Sequence, residues 1–147
     1  MDANNNYDQP LYPISVAAKI LNVSVHTLRM YEREGLIVPF KKESSHRLYS
    51  QSDIDRLKCI RKAINELKIS INGIKALYSL IPCWNLTDCP EEIRNSCRAF
   101  TSHSEPCWSF NSKDQNCVKE CRECDVYRNY TDCEIIKKSI VEITTKR

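Results

Sequence analysis

Glycine is scarce in this chain of 147 residues, which contains only Gly35 and Gly73. A phosphate-binding loop needs several glycines in one short segment, so that the backbone can approach the phosphates. Nucleotide-binding enzymes are therefore not expected. Cys121 and Cys124 form a Cys-x-x-Cys pair, but no βαβ pattern surrounds it, and a thiol redox enzyme remains only a remote alternative. We predict that the protein is not an enzyme.

The chain also lacks long apolar runs. Hydrophobic residues make up 41% and charged residues 28% of it, and no run approaches the roughly 20 apolar residues that span a bilayer. The segment 1–6 has neither the basic nor the apolar stretch of a secretory signal. We therefore expect a cytoplasmic protein without a membrane partner.

No strong excess of one charge is present, since the net charge is +3. The distribution is nevertheless uneven, with 12 Lys and Arg against 8 Asp and Glu in residues 1–81 and 10 against 11 in residues 82–147. A modest basic excess in the first half favours nucleic-acid binding slightly.

The segment 24–36 predicts a helix with a sharp start and end. Ser24 is a good N-cap, and Gly35 suits the position just beyond the C-terminus. Three residues at helical spacing can pack inward, namely Val25, Leu28 and Tyr31. His26, Thr27 and Arg29 then lie on other faces, as in a recognition helix.

Neighbouring segments complete a winged helix-turn-helix. Residues 14–21 predict a short helix capped by Ser15, followed by a tight turn at Asn22 and Val23. Residues 41–49 predict a polar hairpin that ends in an Arg-x-Tyr strand, and residues 12–14 predict a short strand.

Two further helices are predicted. Ser50 and Asp53 form a capping-box-like start, and the apolar stripe after it consists of Ile54, Leu57, Ile60, Ile64 and Leu67. Ser70 caps the second helix, which Pro82 ends. Its apolar positions are Ile71, Ile74, Leu77 and Leu80.

Residues 26–36 and 47–50 resemble the DNA-binding domain of the MerR family, closest to its heat-shock-repressor branch. The resemblance covers about residues 12–80 and implies binding to double-stranded promoter DNA. The residues that it implies for DNA contact are Ser24, His26, Thr27, Arg29, Tyr31, Arg47 and Tyr49. Arg29, His26 and Thr27 would meet bases or nearby phosphates, Tyr31 would support a phosphate contact, and Arg47 with Tyr49 would form the wing contact.

The chain departs from the family after residue 81. Many members continue with a long helix that pairs with the same helix of a partner subunit, whereas this chain has Pro82-Cys83-Trp84. Operators of this family are dyad-symmetric, so a homodimer is expected. Its interface would involve the cysteine-rich segment, residues 134–143 or both, and RNA polymerase would be affected only through the promoter.

Eight of the nine cysteines lie in residues 83–133. Pro-Cys-Trp followed by twelve residues and a cysteine occurs twice, starting at Pro82 and at Pro106, which indicates two copies of one ligand-bearing unit. The predicted metal ligands are Cys83, Cys89, Cys97, Cys107, Cys117, Cys121 and Cys124.

Three interpretations of these thiols compete. A disulfide framework needs an oxidising compartment, and inert buried thiols suit Cys59 and Cys133 better than the whole set. Metal ligation is favoured, by zinc or by an iron–sulfur cluster. We favour an iron–sulfur cluster over zinc, because the cysteine spacings are wide and aromatic residues lie near the cysteines in sequence. These aromatic residues are Trp84, Phe100, Trp108 and Tyr127.

The predicted fold class is mainly α, a winged helix-turn-helix DNA-binding domain followed by a small metal-stabilised module. The predicted domains are a flexible tail (1–11), the DNA-binding domain (12–81), the cysteine-rich metal-binding module (82–133) and an amphipathic segment (134–147). The predicted function is transcription regulation, with redox state or metal or iron–sulfur status sensed by the cysteines. The alternative is a similar repressor that holds a purely structural zinc.

Overall fold

The computed structural model describes residues 7–41, 46–81, 90–101, 104, 106–109, 124 and 127–128. Helices predominate in this part of the chain, as predicted. The elements of the first half are β1 (Tyr12–Pro13), α1 (Ile14–Leu21), α2 (Val25–Arg33), β2 (Phe40–Lys41), β3 (Arg47–Tyr49), α3 (Gln51–Asn65) and α4 (Ile71–Ser79). Those of the second half are α5 (Glu91–Ser96), α6 (Arg98–Thr101) and a 3₁₀ helix (Cys107–Ser109).

The helix-turn-helix consists of α1 and α2. Asn22 ends α1 in the left-handed conformation with a φ of 55°, and the Ser24 hydroxyl accepts a hydrogen bond from the Thr27 amide at the start of α2. Gly35 follows α2 with a φ of 76°, a conformation that glycine adopts without strain. The predicted cap at Ser15 is wrong, because α1 begins at Ile14 and has no side-chain cap.

A small antiparallel sheet with strand order β1-β3-β2 forms the base of the predicted wing. Tyr12 pairs with Tyr49, and Phe40 pairs with Leu48. The central strand therefore joins the lead-in of α1 to the wing hairpin, and α3 starts directly after it.

Both caps predicted for α3 and α4 are present. Ser50 and Asp53 form a reciprocal capping box, and the Ser70 hydroxyl accepts from the Gly73 amide. The stripe of α3 is buried from Ile54 to Ile60. The stripe ends earlier than predicted, since Leu67 is 63% exposed. Of the apolar positions of α4, Leu77 and Leu80 are 41% and 56% exposed.

One core unites the helix-turn-helix, the sheet and α3 with part of the cysteine-rich half. Its fully buried centre includes Leu28, Leu36, Ile54 and Leu57. Trp108, Cys124 and Tyr127 belong to the same cluster. The second half is thus not packed only on itself, because these side chains reach the core of residues 12–81.

Cys59 departs from the expectation of an inert thiol. It is half-buried in α3 and lies in a disulfide bond. The predictions for Pro82, for Cys133 and for the amphipathic segment 134–147 lie outside the described residues. Among the described residues, no helix has the length and apolarity that a membrane span requires.

Candidate nucleic-acid interface

Helix α2 presents a row of exposed polar side chains. His26, Arg29 and Arg33 are exposed, while Thr27 is half-buried. Ser24 is exposed at the N-terminus, and its hydroxyl lies 2.9 Å from the Thr27 hydroxyl. The predicted outward residues therefore do lie on the outer side of the helix, at and near its N-terminal half.

The acidic residues near the end of α2 have cationic partners. Arg47 of β3 donates a hydrogen bond from Nε to the Glu32 carboxylate, and Lys75 Nζ of α4 lies 3.5 Å from a Glu34 carboxylate oxygen. Since these pairs compensate both carboxylates, the exposed row retains the charges of Arg29 and Arg33. The surface is suited to a polyanion.

Arg47 connects the wing to the recognition helix. The hydrogen bond and charge of Glu32 raise the pKa of the Arg47 guanidinium, which thus remains charged. Its side chain is 32% exposed. In the unbound protein Arg47 fixes β3 against α2 instead of extending into solvent.

The two predicted tyrosines are buried. Tyr31 is 3% exposed, and its hydroxyl accepts a hydrogen bond from Arg61 Nη1 at 3.3 Å. Tyr49 is 0% exposed, and burial, aided by Glu32, raises its pKa well above the usual range. A direct wing contact between Tyr49 and DNA is incompatible with this burial, because β3 turns its side chain into the core.

A basic groove lies between α1 and α3 and was not predicted. Its volume is about 290 Å³, and its lining is Ile20, Leu21, Lys58, Arg61, Lys62, Asn65 and Glu66. Lys58, Arg61 and Lys62 lie off the apolar stripe that the sequence predicts for α3. Sequence periodicity does not indicate that α1 supplies the opposite wall.

The predicted metal ligands are described only in part. Cys97 and Cys107 are half-buried and Cys124 is buried, all three as thiols. The described residues contain no group of three or more His, Cys, Asp or Glu side chains arranged to hold a metal ion. Cys83, Cys89, Cys117 and Cys121 lie outside the described residues.

Arg56 is the charged residue that sequence reasoning missed. It is 0% exposed within α3, and its guanidinium lies over the rings of Tyr78, Trp108 and Tyr127. Trp108 and Tyr127 were predicted to surround a metal cluster, whereas they surround this cation. The one sequence signal for its burial was its position next to Leu57 in the apolar stripe of α3.

The profile of the family described as MerR HTH family regulatory protein matches residues 12–80. This is the segment that carries the helix-turn-helix, the wing, α3 and α4. The match stops where the cysteine-rich half begins.

Three relatives are similar over stretches of comparable length. The heat shock protein HspR of Streptomyces coelicolor is 37% identical over 73 residues, 50% of this chain and 48% of that protein. The regulator ZntR of Escherichia coli is 37% identical over 71 residues, 48% and 50% of the two chains. Heavy metal-dependent transcription regulator 2 of Rhizobium meliloti is 40% identical over 68 residues, 46% of each chain. The chain thus spans about half the length of these relatives.

Proposed function

Because residues 12–80 form a DNA-binding domain of the MerR family, we propose that the protein binds promoter DNA and regulates transcription in response to its C-terminal cysteines. The observation that carries the DNA-binding part is the charge of the exposed row on α2. Glu32 and Glu34 are paired with Arg47 and Lys75, so a phosphate backbone meets no uncompensated carboxylate from either residue. Electrostatic attraction of this kind supplies most of non-specific affinity.

Helix α2 enters the major groove in this proposal. Arg29 is the first candidate for base recognition, because arginine reads guanine with two hydrogen bonds. His26, Thr27 and Ser24 lie nearer the N-terminus of the helix and would meet bases or phosphates. Tyr31 acts indirectly, since its hydroxyl holds Arg61, which can contact a phosphate.

The experiment uses DNA that the parent protein selects from a random pool, with a scrambled duplex as control. Arg29→Ala should weaken binding to the selected DNA by about 5- to 150-fold, the equivalent of about 1–3 kcal/mol. Arg29→Lys is the matched variant, because it retains the charge and loses the two-pronged recognition. It should bind the scrambled duplex like the parent, and its preference for the selected DNA over the scrambled duplex should be smaller than that of the parent. Equal binding of selected DNA by all three proteins would overturn the assignment.

The oligomer is proposed to be a homodimer that binds a dyad-symmetric operator. One small domain buries little surface on DNA, and two copies supply the affinity of a specific complex. RNA polymerase would then be affected indirectly, through promoter geometry. Light scattering of the free protein and of its DNA complex tests this, and a monomer in both would contradict it.

The cysteines are proposed to hold an iron–sulfur cluster or zinc. Thiolates bind both, and Cys97, Cys107 and Cys124 are thiols in the described part of the chain. The other proposed ligands are Cys83, Cys89, Cys117 and Cys121. One relative is named as heavy metal-dependent, and its similarity extends over 46% of this chain.

Anaerobic purification with metal analysis and an absorbance spectrum distinguishes the alternatives. Iron with sulfide and visible absorption bands would support a cluster that senses redox or iron status. A colourless zinc protein whose DNA affinity ignores oxidants would contradict sensing and leave zinc as a structural element.

A further inference from the structure

Arg56 is a buried cation whose charge is stabilised mainly by aromatic rings. The distances from its Cζ atom to the ring centroids are 3.9 Å for Tyr127, 4.8 Å for Trp108 and 5.5 Å for Tyr78. Its Nη1 donates a 2.7 Å hydrogen bond to the Tyr127 carbonyl. Among the described residues, no carboxylate pairs with it, and its buried Nε and Nη2 have no hydrogen-bond partner. Cation–π contacts are strongest when desolvated, so Arg56 depends on Trp108 and Tyr127 staying in place.

The same two side chains hold the segment that follows the recognition helix. Trp108 Nε1 donates to the Gly35 carbonyl at 2.6 Å. The Val38 amide donates to the Tyr127 hydroxyl at 2.8 Å. The exit of α2 is thus fixed by the second half of the chain, about one turn beyond Glu32 and its link to the wing.

Each of these aromatic residues follows a thiol closely in sequence. Cys107 directly precedes Trp108 in the 3₁₀ helix. Cys124 is buried and lies on one turn with Tyr127, since the Arg128 amide donates to the Cys124 carbonyl at 2.9 Å. Cys124 belongs to the same buried cluster as both rings, and half-buried Cys107 packs against that cluster. A group bound to either sulfur would therefore disturb the packing of the cluster that holds the rings.

We propose that Arg56, Trp108 and Tyr127 form an aromatic joint, through which occupation of the thiols of Cys107 and Cys124 shifts the exit of the recognition helix. This inference rests on the proposed function and specifies its route. When a thiol-binding group moves either ring, the Arg56 charge loses its contacts and the exit of α2 loses a hydrogen bond. The helix then changes position, and DNA affinity falls.

The test uses the full chain, with N-ethylmaleimide as the thiol-binding probe and two measurements. Amide hydrogen exchange at Val38 reports the joint without DNA, and titration of selected DNA reports affinity. Alkylation of the parent should accelerate Val38 exchange about tenfold or more, the effect of losing about 1.4 kcal/mol of local stability. It should also weaken DNA binding about fivefold or more, a loss of about 1 kcal/mol.

Tyr127→Phe retains the ring over Arg56 and removes the acceptor of the Val38 amide. Val38 exchange should already be fast in this variant, and alkylation should add less than about twofold. Tyr12→Phe is the matched control, because it removes a hydroxyl bonded to Gln51 elsewhere, and it should respond to alkylation like the parent. Trp108→Phe gives a second variant with the other hydrogen bond removed.

The double variant Cys107→Ser, Cys124→Ser should lose the response to N-ethylmaleimide. A response equal to that of the parent would overturn the inference, and so would unchanged Val38 exchange in the alkylated parent. Faster exchange with unaltered DNA affinity would also overturn it, because the joint would not reach the DNA surface. If the parent binds no DNA, the proposed function fails, and the link from thiols to Val38 is decided by exchange alone.

Discussion

Residues 12–81 and the described part of residues 90–128 are organised by different kinds of contact. In the first region three serines, Ser24, Ser50 and Ser70, each accept a backbone amide three positions later. Helix starts are therefore fixed by neighbours in sequence. In the second region the described helices have six residues at most, and two of the residues that join the core are the aromatic Trp108 and Tyr127.

This difference implies that the second region depends on the first. Helices this short are not stable by themselves in water. Trp108 and Tyr127 contact Arg56 and the exit of α2, so part of the apolar surface of the second region is buried against the DNA-binding domain. A change in one region should consequently be measurable in the other.

The largest expected effect comes from removing the cation between the two regions. Arg56→Ala leaves a cavity under the rings and removes the hydrogen bond to the Tyr127 carbonyl, and should lower the free energy of unfolding by about 3 kcal/mol. Arg56→Met fills a similar volume without a charge, and should cost about 1 kcal/mol or less, since replacing a buried charge by an apolar side chain is often tolerated. Urea denaturation of the full chain measures both.

Ordinary surface substitutions change the free energy of unfolding by less than about 0.5 kcal/mol. A loss that small for Arg56→Ala would mean that the two regions are stabilised independently, and it would contradict the dependence of the second region on the first.

Local signals explain why the first region was predicted well. The caps at Ser24, Ser50 and Ser70 and the turn at Gly35 each depend on residues within one turn of the chain, so the sequence displays them directly. Leu67 was placed on the apolar stripe of α3 and is exposed, because helical periodicity identifies the apolar face but not how far along the helix other elements cover it.

Contacts between distant residues could not be predicted in the same way. Arg56 and Tyr127 are 71 positions apart, and no periodicity relates them. Tyr49 was predicted to be a wing contact because a family motif conveys residue type without the direction of the side chain. The nearness of Trp108 to Cys107 in sequence suggested a metal environment, whereas packing directs its ring to Arg56.

A smaller effect on DNA affinity should distinguish the N-cap of α2 from the N-cap of α4. Ser24→Ala and Ser70→Ala each remove one N-cap, and each should cost about 1 kcal/mol of stability. Only Ser24 begins the recognition helix, so Ser24→Ala should also weaken binding to selected DNA, while Ser70→Ala should alter it less than about twofold, under 0.5 kcal/mol. Equal losses of affinity in the two variants would indicate a general effect of stability.

The smallest effect at neutral pH is expected at Tyr49, whose hydroxyl is buried and has no hydrogen-bond partner among the described residues. Tyr49→Phe removes an unsatisfied polar atom, so stability should stay within about 0.5 kcal/mol of the parent or rise. Tyr12→Phe, at the paired position in β1, should lose a little stability because it loses a hydrogen bond to Gln51.

Alkaline pH should separate the stabilities of the parent and Tyr49→Phe more clearly. Burial raises the pKa of Tyr49, so the folded protein keeps a neutral phenol above about pH 10, where the unfolded chain ionises. The parent therefore loses stability as the pH rises above that value, and Tyr49→Phe should lose less. Burial also raises the pKa of Tyr78, so the Tyr49→Phe variant should still lose some stability at alkaline pH. DNA affinity at neutral pH should be equal in the two proteins, and a tenfold decrease without a change in stability would return Tyr49 to the DNA-facing side.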